Sequence, residues 1–102
     1  MTKKKNGFYD IVGKEKPTLV DFYATWCGPC KAMHPVLKEV AKEIGDRGKV
    51  LKIDIDKNQA LAHKLSIRSV PTLAIYKQGK IVWKKTGGMS KGQLLGEMKK
   101  HF

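Results

Sequence analysis

The sequence predicts an α/β domain with elements in the order helix, strand, helix, strand, helix, strand, strand, helix. Three observations carry this. Apolar residues alternate between strand-like runs and helical spacings of three and four along the chain. The run Leu19-Val20-Asp21-Phe22-Tyr23-Ala24 is mostly apolar on both faces, as befits a central strand covered on both sides. The only two cysteines stand in Trp26-Cys27-Gly28-Pro29-Cys30, at the seam between that strand and a long helical stretch.

The 102 residues suit one domain, 1–102, with one hydrophobic core. Apolar residues make up 41 % and charged residues 29 %, an ordinary globular balance rather than a disordered one. No apolar run approaches the roughly 20 residues that span a bilayer, so no membrane role is expected. Met1-Thr2-Lys3-Lys4-Lys5 begins as a signal peptide does. Asn6, Gly7, Asp10, Gly13 and Lys14 then break up any apolar segment. The expected location is therefore the cytoplasm, where thiols stay mostly reduced.

A net charge of +12 attracts nucleic acid, anionic membrane or acidic proteins. The lysines are scattered, however, and no aromatic residues interleave with them as on a base-stacking surface. Nucleic acid is not expected as the main partner. The charge reads as a solvated basic surface that colours partner choice, on a chain expected to be monomeric.

In order, 1–6 reads as a mobile basic tail. Phe8, Tyr9, Ile11 and Val12 suit a short helix ending near Gly13. Pro17 leads into a strand over 18–24. The second helix is expected over 29–44, where Met33, Val36, Leu37, Val40, Ala41 and Ile44 form one apolar face and Gly45 ends it. Pro35 inside it removes a backbone hydrogen bond and predicts a kink.

The stretch 50–55 alternates as a strand, giving a strand–helix–strand unit of the right-handed parallel kind. Asn58 is placed to cap a short helix through about 65. After Ser69-Val70-Pro71-Thr72 comes a strand over 73–76. Lys77-Gln78-Gly79-Lys80 reads as a hairpin turn, with Gly79 at positive φ, into a strand over 81–84. Gly87-Gly88 breaks the pattern. Ser90 and Gln93 form a capping box that starts a last helix burying Leu94, Leu95 and Met98.

A Cys-x-x-Cys pair at a strand-to-helix turn reads first as dithiol redox chemistry. A disulfide closing so small a loop contributes only about 2 kcal/mol by chain entropy. Such a bond matters because it opens and closes. Zinc is the alternative reading, with His34 as a third ligand beside Cys27 and Cys30. Against it, the chain holds no second cysteine pair, and Pro29 suits the redox turn.

From Leu19 onward the chain resembles the thioredoxin family. The resemblance rests on Val20-Asp21-Phe22, the Trp26–Cys30 run, the interior Pro35, Ile55-Asp56, Val70-Pro71-Thr72, Gly79, and Gly87 followed by Ser90-Lys91-Gly92-Gln93. It implies a central mixed sheet flanked by helices on both faces. Only 18 residues precede Leu19, where many relatives carry an extra strand and helix, so four strands are expected rather than five.

The resemblance also implies roles. Cys27, at the helix start, is the nucleophile, and the more buried Cys30 resolves the mixed disulfide. Asp21, a carboxylate in an apolar strand, moves the Cys30 proton, with Lys52 on the neighbouring strand. Pro71 resembles the family's cis-proline facing the cysteines, and the Val70 backbone pairs with an extended substrate. Trp26, Gly28, Pro29, Gly87 and Gly88 line the same shallow groove.

Core packing for Trp26 and plain turn chemistry for the glycines are the simpler alternatives. His34 reads as an ordinary helix residue that can tune Cys30, His63 and His101 as surface, and Met33, Met98 and Trp83 as packing residues. Met89 is placed to border the groove.

The activity implied is protein disulfide reduction, with a thioredoxin reductase and disulfide-containing proteins as partners. No bound cofactor is expected beyond the Cys27–Cys30 disulfide itself. Two other functions stay open: an oxidant or isomerase on the same fold, and a non-catalytic module gripping a partner around Trp26 and Val70.

Overall fold

The computed structural model describes residues 7–102. The basic tail expected over 1–6 lies outside them. Strands β1 (Thr18–Tyr23), β2 (Lys49–Asp54), β3 (Thr72–Lys77) and β4 (Lys80–Thr86) form one sheet in the order β2-β1-β3-β4. β1 pairs parallel with β2 and antiparallel with β3, and β3 pairs antiparallel with β4. The sheet is mixed and four-stranded, with β1 inside it. Helices α1 (Phe8–Val12), α2 (Gly28–Ile44), α3 (Gln59–Lys64) and α4 (Lys91–Lys99) flank it, and a single 3-10 turn, Gly45–Arg47, follows α2.

The period-2 alternation of β1 and β3 divides the core into two layers. Leu19, Leu73 and Ile75 pack under α2 and α4 against Met33, Leu37, Val40, Ile44, Leu94 and Met98. Val20, Phe22, Ala74 and Tyr76 face the other way, onto Val12, Phe8, Leu65 and Ile67. This two-sided cover is why β1 reads as a continuous apolar run.

Helix α2 runs through Pro35 without ending. Of its expected apolar face, Ala41 is exposed and Val36 only half-buried, because both flank the narrow stripe of Met33, Leu37, Val40 and Ile44 that meets the sheet. Leu95 is likewise half-buried at the rim rather than in the core. Asn58 occupies the N-cap position of α3, but its side chain does not cap. Its amide donates instead to the Asp54 carbonyl at 2.9 Å, closing the turn after β2. His101, expected at the surface, is half-buried, and its carbonyl accepts from Lys77 Nζ at 2.8 Å.

The hairpin between β3 and β4 places both Gln78 (φ 53°) and Gly79 (φ 80°) in the left-handed region, the two-residue turn whose twist matches its strands. Ser90 and Gln93 make the reciprocal capping box, with Gln93 N donating to Ser90 Oγ at 3.2 Å and Ser90 N to Gln93 Oε1 at 3.1 Å. Lys91, just inside α4, bridges to Glu39 and Glu43 of α2. Among the described helices none is long and apolar enough to cross a membrane.

Candidate active site

Strand β1 ends where α2 begins, and the turn between them carries both cysteines. Cys27 is the N-cap of α2, and its sulfur accepts from the Cys30 backbone N–H at 3.1 Å. One of the unpaired donors of the helix start is thus satisfied by sulfur, with the positive end of a 17-residue helix behind it. No carboxylate occupies the first turn to compete with a thiolate. Pro29 costs the helix nothing at this position, because an N–H there has no intrahelical partner.

Cys27 and Cys30 are joined as a disulfide, with Cα atoms 5.2 Å apart. Cys27 keeps 5 % exposure and Cys30 none, so Cys27 is the more accessible of the two residues. The two sulfurs pack on Ala24, Tyr23, Ile55 and Val70.

The segment before β3 comes up against this pair. The Val70–Pro71 bond is cis, as the resemblance implies. Val70 carbonyl oxygen lies 3.8 Å from Cys27 Sγ, across 43 positions of sequence. Gly87 is drawn to the same place, its N–H donating to the Pro71 carbonyl at 2.8 Å with φ at 104°, a conformation that favours glycine. A side chain at Gly88 would meet Met33 Sδ at 3.2 Å, so Gly88 lets the loop lie on α2. Gly28 has open space around its Cα.

Trp26 does not pack into the core. It is 68 % exposed, and its indole N–H donates to Asp56 Oδ2 at 2.9 Å. Asp56 is held in turn by Asp54, whose Oδ1 accepts from the Asp56 and Lys57 backbone N–H groups. Neither carboxylate stood out in the sequence as a site residue. The Asp-x-Asp spacing after a strand is an Asx-turn signal that was there to be read.

Asp21 is fully buried beneath α2, and neither of its oxygens is bonded to a described protein group. Burial raises its pKa from the ordinary 3.8 to about 6, against the opposing pull of Lys52. Lys52 is the register partner of Asp21 across the β1–β2 pair and is exposed. The structure therefore brings Cys27, Cys30, Val70, Pro71, Gly87 and Gly88 to one end of the sheet. Asp21 and Lys52 are paired across β1 and β2, with Asp21 three residues before Ala24, on which the cysteines pack.

His34 faces Tyr23. Its ring packs edge-on against Tyr23 at 5.0 Å, and among the described residues no three His, Cys, Asp or Glu side chains converge as a metal site.

The family model described as "Thioredoxin" matches residues 1–100. A thioredoxin of Acidithiobacillus ferridurans is 47 % identical over 85 residues, covering 83 % of this chain and 79 % of that one. A thioredoxin of Mycolicibacterium smegmatis is 47 % identical over 91 residues, with 87 % and 81 % covered. A solved thioredoxin mutant from Halobacterium salinarum superposes with a TM-score of 0.83 at 35 % identity, over 91 % of this chain and 80 % of the other. With its cysteine pair set at the strand-to-helix turn, the chain belongs to the thioredoxin family of thiol-disulfide oxidoreductases.

Proposed function

We propose that the chain reduces disulfides of target proteins and is recharged by a thioredoxin reductase. The observation that carries this is the Cys27 sulfur at the N-terminus of α2, with Cys30 buried behind it. In the reduced protein the Cys27 thiolate attacks a target disulfide, forming a mixed disulfide and expelling one target thiolate. Cys30 gives its proton to the Asp21 carboxylate and attacks Cys27 Sγ. The Cys27–Cys30 disulfide forms, and the second target thiolate leaves. Two electrons pass to the target, and the reductase returns them.

The remaining residues have supporting parts in this reading. Asp21 takes the proton because a buried carboxyl with a pKa of about 6 is still mostly ionised at neutral pH yet binds a proton readily. Lys52 moderates that carboxyl from the next strand. An extended target segment lies over Trp26, Gly28, Pro29, Gly87 and Gly88, and pairs with the Val70 backbone beside Pro71. Pro29 stands where oxidising relatives carry histidine, which favours the reducing direction. The cytoplasm suits this role, since it keeps thiols reduced. The chain works as one domain.

The equilibrium redox potential of the Cys27–Cys30 couple against a thiol buffer tests the direction. The expected value lies near that known for thioredoxin, about −270 mV. A value near that of the periplasmic oxidant, about −120 mV, would overturn the reductase reading.

A further inference from the structure

Lys52 has two places to go. It lies on β2, an edge strand, so its flexible side chain has solvent on one side and Asp21 on the other. Both residues belong to the α2 face of the sheet. Leu19 and Val50 join the core beneath α2 and α4, while Val20, Leu51 and Ile53 join the opposite one. An exposed ammonium on four methylenes is held near a buried carboxyl only if something fixes it there.

His34 stands where such an anchor is needed. It sits on α2, four residues after Cys30 and over Tyr23 of β1. With Lys52 it lines a cleft of about 220 Å³ between α2 and β2, whose other walls include Leu37, Ala41, Val50 and Leu51. Its Nε2 is closed off from solvent, and no described protein group bonds to it. A buried ring nitrogen left that way carries its full desolvation penalty. A neutral imidazole can present an acceptor at Nε2, and an ammonium offers only donors. Burial first and the Lys52 charge second push the His34 pKa below the usual imidazole value, so the ring is neutral at pH 7. On its own helix the titratable and charged groups one turn away are Cys30, Lys31 and Lys38; from the sheet come Tyr23 against its ring, Lys52 across the cleft, and Asp21, the register partner of Lys52.

We propose that His34 is a positioning residue of the redox site, its neutral imidazole accepting a hydrogen bond from the Lys52 ammonium and so keeping that cation over Asp21. The inference rests on the reading of Asp21 as the group that takes the Cys30 proton. Without the anchor Lys52 swings into solvent, Asp21 loses its opposing cation and holds its proton more tightly. Less of it is then ionised to accept from Cys30 at and below neutral pH.

The test follows the Asp21 carboxyl by carbon-detected NMR titration, together with the pH profile of insulin disulfide reduction. Full-length wild type, His34→Leu, His34→Gln and Lys52→Met are compared, with the His34→Leu Lys52→Met double variant. His34→Leu is expected to raise the Asp21 midpoint by roughly half to one pH unit. At a full unit, reduction slows about five-fold at pH 6 and about two-fold at pH 7, and is nearly unchanged at pH 8.5. His34→Gln, which keeps an acceptor, restores most of the profile. In the Lys52→Met background the His34 change has no further effect.

An unmoved Asp21 midpoint in His34→Leu, or the same shift in both backgrounds, would overturn the proposal. If His34→Leu fails to fold, the wild-type imidazole tautomer decides. A long-range proton–nitrogen spectrum showing the proton on Nδ1 and Nε2 as acceptor supports the anchor, and a proton on Nε2 overturns it. The role of Asp21 is tested separately. A shifted Asp21 midpoint with an unshifted rate profile supports the anchor and removes Asp21 from proton transfer, as would an unaltered acid limb in Asp21→Asn.

Discussion

The Trp26 indole donates to Asp56 Oδ2 at 2.9 Å, tying the exposed ring before α2 to the turn after β2. The two residues are 30 positions apart, and their bond holds a large aromatic surface upright beside the cysteines without burying it. Asp54 builds the turn that presents Asp56, so one buried carboxylate supports the orientation of an exposed aromatic residue next to Cys27.

Trp26→Ala should therefore impair function and spare the fold. The rate constant for reducing a protein disulfide should fall roughly five-fold, equivalent to about 1 kcal/mol, through a higher KM. The urea midpoint should hardly move, since an exposed ring contributes little to folding. Asp56→Asn should give a smaller loss of the same kind and a changed Trp26 fluorescence. A large stability loss in Trp26→Ala would return the ring to the core.

Asp21 makes stability depend on pH in a defined direction. Its folded pKa, about 6, lies above its ordinary 3.8, so between those values the folded state holds a proton that the unfolded state has lost. Stability then falls as pH rises through this window, and the full penalty, on the order of 3 kcal/mol, is present above about pH 6. Asp21→Asn removes the titration. Urea unfolding should show its stability relative to wild type rising by most of that amount, roughly 2–2.5 kcal/mol, between pH 4 and pH 7. A constant difference would mean that Asp21 titrates normally.

Gly87 supplies a φ of 104° and the N–H bonded to the Pro71 carbonyl. Gly87→Ala should cost about 1–2 kcal/mol in denaturant unfolding, because alanine is strained in that conformation. Relaxing it moves the loop off Pro71, and the reduction rate should drop as well. Wild-type stability in the variant would show that the loop adapts freely.

The charge of +12 should appear in association kinetics. The described ion pairs, Lys91 with Glu39 and Glu43 and Lys100 with Glu97, leave a strongly basic surface. Reaction with an acidic target should slow steeply as salt rises toward 1 M, where the screening length shrinks to about 3 Å. A basic target should show the reverse. Salt-independent rates with both would remove charge from partner choice.

Most of the local chemistry was legible in the sequence. The order of elements, the cysteine pair at the start of α2, the capping box and the hairpin turn each depend on residues a few positions apart, and short-range patterns report them directly. Errors fell where a competing contact overrides a local rule. Asn58 caps nothing because its side-chain amide turns back to donate to the Asp54 carbonyl of the preceding turn, and Ala41 is exposed because α2 meets the sheet on a narrower stripe than its apolar spacing suggests.

What the sequence determined by itself is a thiol pair on a strand–helix seam, together with a costly carboxylate inside an apolar strand. Only the tertiary structure decided what surrounds them. Strand pairing sets Lys52 beside Asp21, helix packing brings His34 over Tyr23, and the β3 approach lays Val70 within 3.8 Å of Cys27. The physical reason is that contacts between distant segments are chosen by burial and register, which belong to the whole fold and leave no periodic trace in any one segment.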